Sequence, residues 1–385
     1  MSPFEKSLFR IILYQKKEIT FVCWIAERES DKMAARIYRT AVIGLGRIAW
    51  SRHLPELLRK KDKYELSAVV DPIAVRCDET RAKFGPVKSF GSVEELLRND
   101  APDLAVVCSP TIFHKDQCIA LLDRGVHVFC DKPAALNLEE AEAMFEAARR
   151  NQRRLMIFQP KRVQPESEAA AEIIRSGKLG KIYQISYFSS SYVRRSDWQA
   201  QRRNGGGMLL NYGAHYIDLM LHLTGERLIP EYCRTGLVAT LGDAEDVVKA
   251  ILRGPDSGVL CEVDISQASL WRPCEMMIRG SLGTAWYPFE ADAWKLRYYE
   301  PGMFPERKLS EQLAAEQRKY NLDQVEPLKE EMPVIPGDRS GVYYDNFYAW
   351  LEGKAQPVVG EQDTLLLMET LEKCRKLSEK GGHAG

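Results

Sequence analysis

Ala41-Val-Ile-Gly-Leu-Gly-Arg-Ile-Ala49 runs an apolar strand directly into Gly-x-Gly-x-x-Ala. Gly44 permits a sharp turn, Gly46 removes a side chain where a phosphate must approach the backbone, and Ala49 lets the next helix lie close on the strand. Free N–H groups and the positive end of that helix favour an anion at the same point, so Gly44, Gly46, Arg47 and Ile48 are candidates to hold a pyrophosphate. Small residues at a strand-to-helix turn also serve plain tight packing, so the motif depends on what surrounds it.

Its surroundings repeat one pattern. Tyr38 to Ile43 reads as a strand followed by a helix to about Lys60, and Tyr64 to Val70, Leu104 to Cys108, Val126 to Cys130 and Leu155 to Phe158 read as further strands. Ser92-Val-Glu-Glu95 and Asn137-Leu-Glu-Glu140 have the form of helix starts, and Gly125 stops the helix Lys115 to Arg124. Near-continuous apolar strands separated by helices imply a parallel sheet covered on both faces. The expected fold class is therefore α/β, with a doubly wound Rossmann domain over residues 37–158.

Three features place a dinucleotide in that domain. Asp71 ends the second strand, 71 − 44 = 27 residues after Gly44, where a carboxylate can accept from an adenosine ribose and repel a 2′-phosphate. This favours NAD, while Arg47 and Arg76 keep NADP possible; the plainer alternative is that Asp71 caps the turn at Pro72. Asp131-Lys-Pro133 follows the strand Val126 to Cys130, which puts Asp131 and Lys132 at the carboxyl end of the sheet where ligands of such folds bind. Ser109 and Pro110 occupy the neighbouring strand end and would cover the nicotinamide side. His114, read more readily as a helix-start or packing residue than as a catalyst, and Gln159, directly after Phe158, complete the expected cofactor surroundings.

Composition narrows the remaining possibilities. At roughly 150 residues per domain, 385 residues make two or three domains, and 45% hydrophobic with 28% charged residues fits folded cores. Lys+Arg and Asp+Glu both number 54, so there is no overall charge to attract nucleic acid or an anionic membrane. The nine cysteines show no Cys-x-x-Cys pair and no metal-type spacing, as expected for reduced thiols in a cytoplasmic protein without a metal site. In residues 1–36 the apolar pieces Leu8 to Tyr14 and Ile19 to Ala26 are split by Gln15-Lys-Lys-Glu18, too short to span a bilayer and without a cleavage site. The expectation is a poorly packed extension, with Met33 a possible functional start.

Residues 159–385 read as a second α/β domain for substrate and oligomerisation. Lys181 to Ser190, Val247 to Leu252, Gly258 to Ser266 and Glu275 to Gly280 look like strands of mixed polarity, with one sheet face open and Ile182 and Ile185 needing a cover. Glu361 to Glu379 reads as a closing helix, with Gly381-Gly382 ending the ordered chain. Between them, Gly205-Gly-Gly207 leads into a helix on which His215 and Asp218 share a face; His222 lies farther along and reads as a core residue. Arg194, Arg195, Trp198 and Arg202 precede the glycine run, and with Arg162 they are candidates for substrate contact; a solvated loop is the alternative for the arginines.

Val42-Ile-Gly-Leu-Gly-Arg-Ile-Ala49, Cys108-Ser-Pro-Thr-Ile-Phe-His114, Gly125-Val-His-Val-Phe-Cys-Asp-Lys-Pro133, Gly205-Gly-Gly207 and Gly213-Ala-His-Tyr-Ile-Asp218 together resemble the Gfo/Idh/MocA family, the group of glucose–fructose oxidoreductase and inositol dehydrogenase. The resemblance covers about residue 37 to the end. It implies a Rossmann domain followed by an α/β domain with a large, mostly antiparallel, open-faced sheet, and oxidation or reduction of a sugar or cyclitol hydroxyl with NAD(P). It also implies that His215 takes the proton while Lys132 polarises the same oxygen, and that a second subunit covers the open face in a homodimer or homotetramer. Where the family often carries Asp, this chain has Asn211, which can hold a substrate hydroxyl but take up no proton. Asp218 is then a candidate for the missing carboxylate. Two other outcomes stay open: an NAD-dependent glycoside-cleaving enzyme, and a non-catalytic dinucleotide-binding sensor, against which the presence of both Lys132 and His215 argues.

Overall fold

The computed structural model describes residues 36–381, except 290, 305, 307, 308, 310–317, 319–328, 334, 336–338 and 340. The expected N-terminal extension, apart from Arg36, and Gly382 lie outside the described residues.

Two sheets organise these residues. The first has the order β3-β2-β1-β4-β5-β6, with β1 Tyr38–Ile43, β2 Tyr64–Val70, β3 Lys88–Phe90, β4 Leu104–Val107, β5 His127–Asp131 and β6 Leu155–Phe158. All its pairings are parallel, as the continuous apolar runs require, since such strands are covered on both sides. Ser92 Oγ accepts from Glu95 N and Asn137 Oδ1 from Glu140 N, so both expected helix starts are capped.

One face of this sheet is covered by a segment far away in the chain. Helix Val342–Leu351 brings Tyr343, Tyr344, Phe347 and Tyr348 against Tyr64, Phe129 and Phe158. Tyr64 Oη donates to Tyr344 O, and His53 Nδ1 lies 2.8 Å from Tyr344 Oη.

The second sheet has the order β14-β13-β12-β11-β7-β10-β9-β8. Its strands are β7 Ile182–Ser190, β8 Ile229–Gly236, β9 Val247–Arg253, β10 Leu260–Ser266, β11 Met276–Gly280, β12 Gly283–Tyr287, β13 Lys295–Tyr298 and β14 Lys329–Glu331. Only β7 and β10 pair in parallel; the other pairings are antiparallel. The inward residues Val248, Ala250, Leu252, Cys261, Val263 and Ile265 share a core with helices Gly213–Thr224 and Glu361–Gly381.

The opposite face differs from expectation. Ile185 is fully buried in that same core and Ile182 packs against it, so neither awaits a cover from outside. The strand alternation instead turns out Gln184, Lys249, Glu262, Asp264 and Arg279, interspersed with Ile251, Leu260, Met277 and Trp286. Lys249 pairs with both Glu262 and Asp264. No helix among the described residues is long and apolar enough to cross a membrane.

Candidate active site

A cleft of about 870 Å³ opens at the carboxyl ends of β1, β4 and β5, with Ile43, Cys108 and Asp131 on its wall. The two glycines of the first turn have separate tasks. Gly44 has φ of +81°, and a Cβ there would lie 2.6 Å from Ser109 N, so this position must stay bare for the turn to fit against the end of β4. A Cβ on Gly46 would meet nothing within 4 Å; it would project into the cleft itself. Asp71 is buried: Oδ2 accepts from Leu45 N at 2.8 Å and Oδ1 from Ile73 N at 2.9 Å, so its carboxylate fixes the glycine turn as well as facing the cleft. Arg76 comes within 3.4 Å of the same carboxylate and also lines the cleft.

Ser109, Pro110, Asp131 and Lys132 line the wall, as do Arg47 and Ile48. His114 does not. Its Nε2 is 2.8 Å from Ser109 O and its Nδ1 2.9 Å from Pro133 O, so the buried ring ties the two strand-end turns together behind the wall. Gln159 is also absent from the wall; its main-chain oxygen accepts from Tyr343 Oη, while its buried Oε1 has no partner among the described residues.

Lys132, Asn211 and His215 meet at one end of this cleft. Lys132 Nζ donates to Asn211 O at 3.0 Å and to Asn211 Oδ1 at 2.6 Å. Loss of surrounding water, opposed by Asp131 and reinforced by Arg47 and Arg195, brings the Lys132 ammonium down to about 8. Asp131 is pushed up to about 6 by burial, against the pull of Lys132. Burial holds His215 well below the ordinary histidine value, and the charges of Lys132 and Lys161 push the same way. His215 Nδ1 is buried without a hydrogen-bond partner among the described residues.

Several expected contacts are corrected by this geometry. Asp218 is buried in a two-pronged pair with Arg162, Nε to Oδ2 at 2.8 Å and Nη2 to Oδ1 at 2.7 Å. Neither lines the cleft: Arg162 lashes the segment after β6 to helix Gly213–Thr224, and Asp218 cannot replace the carboxylate missing at Asn211. Arg194 and Arg202 are exposed and off the wall; Arg202 Nε instead lies 3.8 Å from Glu245. Trp198 and Arg195 do line it, with Arg195 Nη1 2.7 Å from Asp197 Oδ2. Lys161, Tyr212, Tyr216 and Gln117 also line it and were missed. Tyr212 and Tyr216 flank His215 on the same helical segment, so the i−3 and i+1 neighbours of the candidate histidine were the available signal. Lys161, held by Glu166 and Glu275, offered none.

The chain belongs to the Gfo/Idh/MocA family of NAD-binding oxidoreductases: the model of its NAD-binding Rossmann fold matches residues 38–159 and that of its C-terminal domain residues 167–286. D-glucoside 3-dehydrogenase of Escherichia coli is 28% identical over 196 residues, 50% of this chain and 56% of that protein. Myo-inositol 2-dehydrogenase of Thermotoga maritima is 29% identical over 245 residues, 60% of this chain and 70% of that one. The matches span between about half and seven tenths of such curated relatives. A NAD-binding protein from Listeria innocua has the same fold, with a TM-score of 0.77 at 18% identity over 89% of this chain and 95% of that one.

The cleft fits the dinucleotide of this family. The space beside Gly46 is bare, the adjoining backbone begins a helix, and an anchored carboxylate stands at the end of β2. Gly44, Gly46, Arg47, Ile48, Asp71, Ser109 and Pro110 line that part of the cleft and would hold it.

Proposed function

We propose that the protein oxidises, or in reverse regenerates, a secondary hydroxyl of a sugar, sugar derivative or cyclitol, using NAD in preference to NADP. The supporting observation is the Lys132, Asn211 and His215 cluster on the wall of the same cleft that the glycine turn opens into. The bound dinucleotide supplies the hydride acceptor. Lys132 and His215 face the reacting hydroxyl, Asn211 fixes the Lys132 amine, and Arg195, Trp198 and Tyr212 hold the rest of the substrate. A proton acceptor beside the oxygen limits the negative charge that develops as the O–H bond is lost. Inositol and glucoside dehydrogenases among the relatives support this substrate class.

Asp71 supports the preference for NAD, since a buried carboxylate opposes a 2′-phosphate, although Arg76 beside it weakens that opposition. A homodimer or homotetramer through the open face of the second sheet, in the cytoplasm, belongs to the same reading. Its support is the mixture of Ile251, Leu260, Met277 and Trp286 with paired charges on that face.

Mass spectrometry of dinucleotide carried through purification, followed by a panel of sugars and cyclitols read by reduced-nicotinamide absorbance, tests the proposal. A retained NAD and turnover of at least one polyol are expected. Binding of NAD with no turnover across aldose, glycoside, uronate and cyclitol substrates would instead point to a sensor.

A further inference from the structure

Resting on that reading, we propose that the proton of the reacting hydroxyl passes to Lys132 Nζ, and that His215 acts as a neutral hydrogen-bonding partner and not as the base. The geometry carries this division of labour. Two of the three hydrogens on Nζ are fixed by Asn211 O and Oδ1. The position that remains is an N–H in the ammonium and a lone pair in the amine, and it is the only one free to exchange a proton with a ligand in the cleft. Both partners of Nζ are uncharged, so nothing in direct contact locks it as an ammonium. An aspartate at position 211 would do so, which gives the departure from the family pattern a chemical consequence.

His215 has the opposite surroundings. Its Nδ1 is buried without any partner among the described residues, and none of them sets a carboxylate behind the ring to support an imidazolium. Asp218, three residues on, is fully engaged with Arg162. The charged groups around the pair come from every neighbouring element: Asp131 from the end of β5, Arg47 from the glycine turn, Arg195 from the segment after β7, and Lys161 from the segment after β6. Their sum disfavours a second cation on His215, while Lys132, at about 8, gains and loses its proton near neutral pH. A base works best with its proton affinity near the working pH.

In the oxidative direction the O–H bond breaks toward the neutral amine, which becomes the ammonium. A bound oxidised dinucleotide would supply the acceptor for the hydride that carbon must lose for the carbon–oxygen bond to become a carbonyl. In reduction the ammonium returns the proton. Atoms and charge balance with NAD as the only co-reactant.

Trace acetylation with acetic anhydride across a pH series, on the full chain free of cofactor, reads the Lys132 amine directly when its peptide is quantified by mass spectrometry. Half-maximal reactivity near 8 is expected, about two units below ordinary lysines, and Asn211→Asp should move it up by one unit or more. With an active substrate, Lys132→Arg keeps a cation but cannot act as base and should lose at least ~100-fold in turnover. His215→Asn should lower turnover yet leave the acidic limb of the rate profile at the pH of the Lys132 titration. An ordinary lysine titration, or loss of that limb in His215→Asn, would overturn the assignment. A low Lys132 titration in a protein that oxidises no alcohol overturns the oxidoreductase reading itself, so the two failures are distinguishable.

Discussion

The two glycines of the first turn should fail in different ways when each gains a single methyl group. In Gly44→Ala the new Cβ meets Ser109 N, Ser109 Cα and Cys108 C at 2.6–2.9 Å, all backbone that cannot rotate aside. The φ of +81° adds a left-handed penalty of about 1–2 kcal/mol, and forced overpacking about 1–3 kcal/mol. The cofactor-free protein should therefore lose roughly 2–5 kcal/mol, a drop of several degrees in Tm. Gly46→Ala meets no atom within 4 Å, so cofactor-free stability should stay within about 0.5 kcal/mol. Its methyl group instead occupies the approach of the pyrophosphate, and NAD affinity should fall at least ~10-fold, about 1.4 kcal/mol. Thermal melts without ligand and calorimetric titration with NAD separate the two. If Gly46→Ala binds NAD as tightly as the parent protein, the cleft beside it does not hold the phosphates.

Other perturbations probe the remaining claims. Asp71→Asn keeps one acceptor but leaves either Leu45 N or Ile73 N unpaired, so it should cost about 1–3 kcal/mol and narrow the NAD-over-NADP preference in competitive titration; an unchanged preference would remove Asp71 from cofactor selection. Arg162→Met strands a buried carboxylate and should destabilise by about 3–5 kcal/mol in denaturant melts, whereas Arg162→Met with Asp218→Leu should recover much of that loss; no recovery would show that the pair does more than hold the two segments together. Leu260→Glu, on the open sheet face, should shift the protein to a smaller species in light scattering after size exclusion, and an unchanged mass would place any subunit contact elsewhere.

Much of the fold was legible because its signals are local. β1, β2 and β6 have the bounds expected from their apolar runs, and the caps at Ser92 and Asn137 close as their spacing implied. β3, β8, β12, β13 and β14 were missed: β3 is three residues long, Ile229–Gly236 contains Pro230, Glu231 and Arg234, and such strands take their identity from neighbours in the sheet. In the cleft, Gly44, Gly46, Asp71 and Lys132 were readable because strand ends fix where they point. Arg162 and Asp218 were misread because their partnership joins positions 56 apart, and a helical face shared with His215 says nothing about which partner lies across it. The facing of Ile185 failed for a similar reason. Alternation shows that β7 has two sides, and only the helices laid on it decide which one is wet.

The return of helix Val342–Leu351 to the first sheet bears on how the molecule is made. A ribosome releases the six strands of that sheet long before Tyr343, Tyr344 and Phe347 emerge, so the nascent chain holds Tyr64, Phe129 and Phe158 without their aromatic lid until that later helix has been synthesised. Domains made first tend to fold first, and apolar surface left bare meanwhile promotes association. The nucleotide-binding half should thus be a poor autonomous fragment: residues 37–158 expressed alone should precipitate, and co-expression of a segment spanning 341–381 should bring them back into solution.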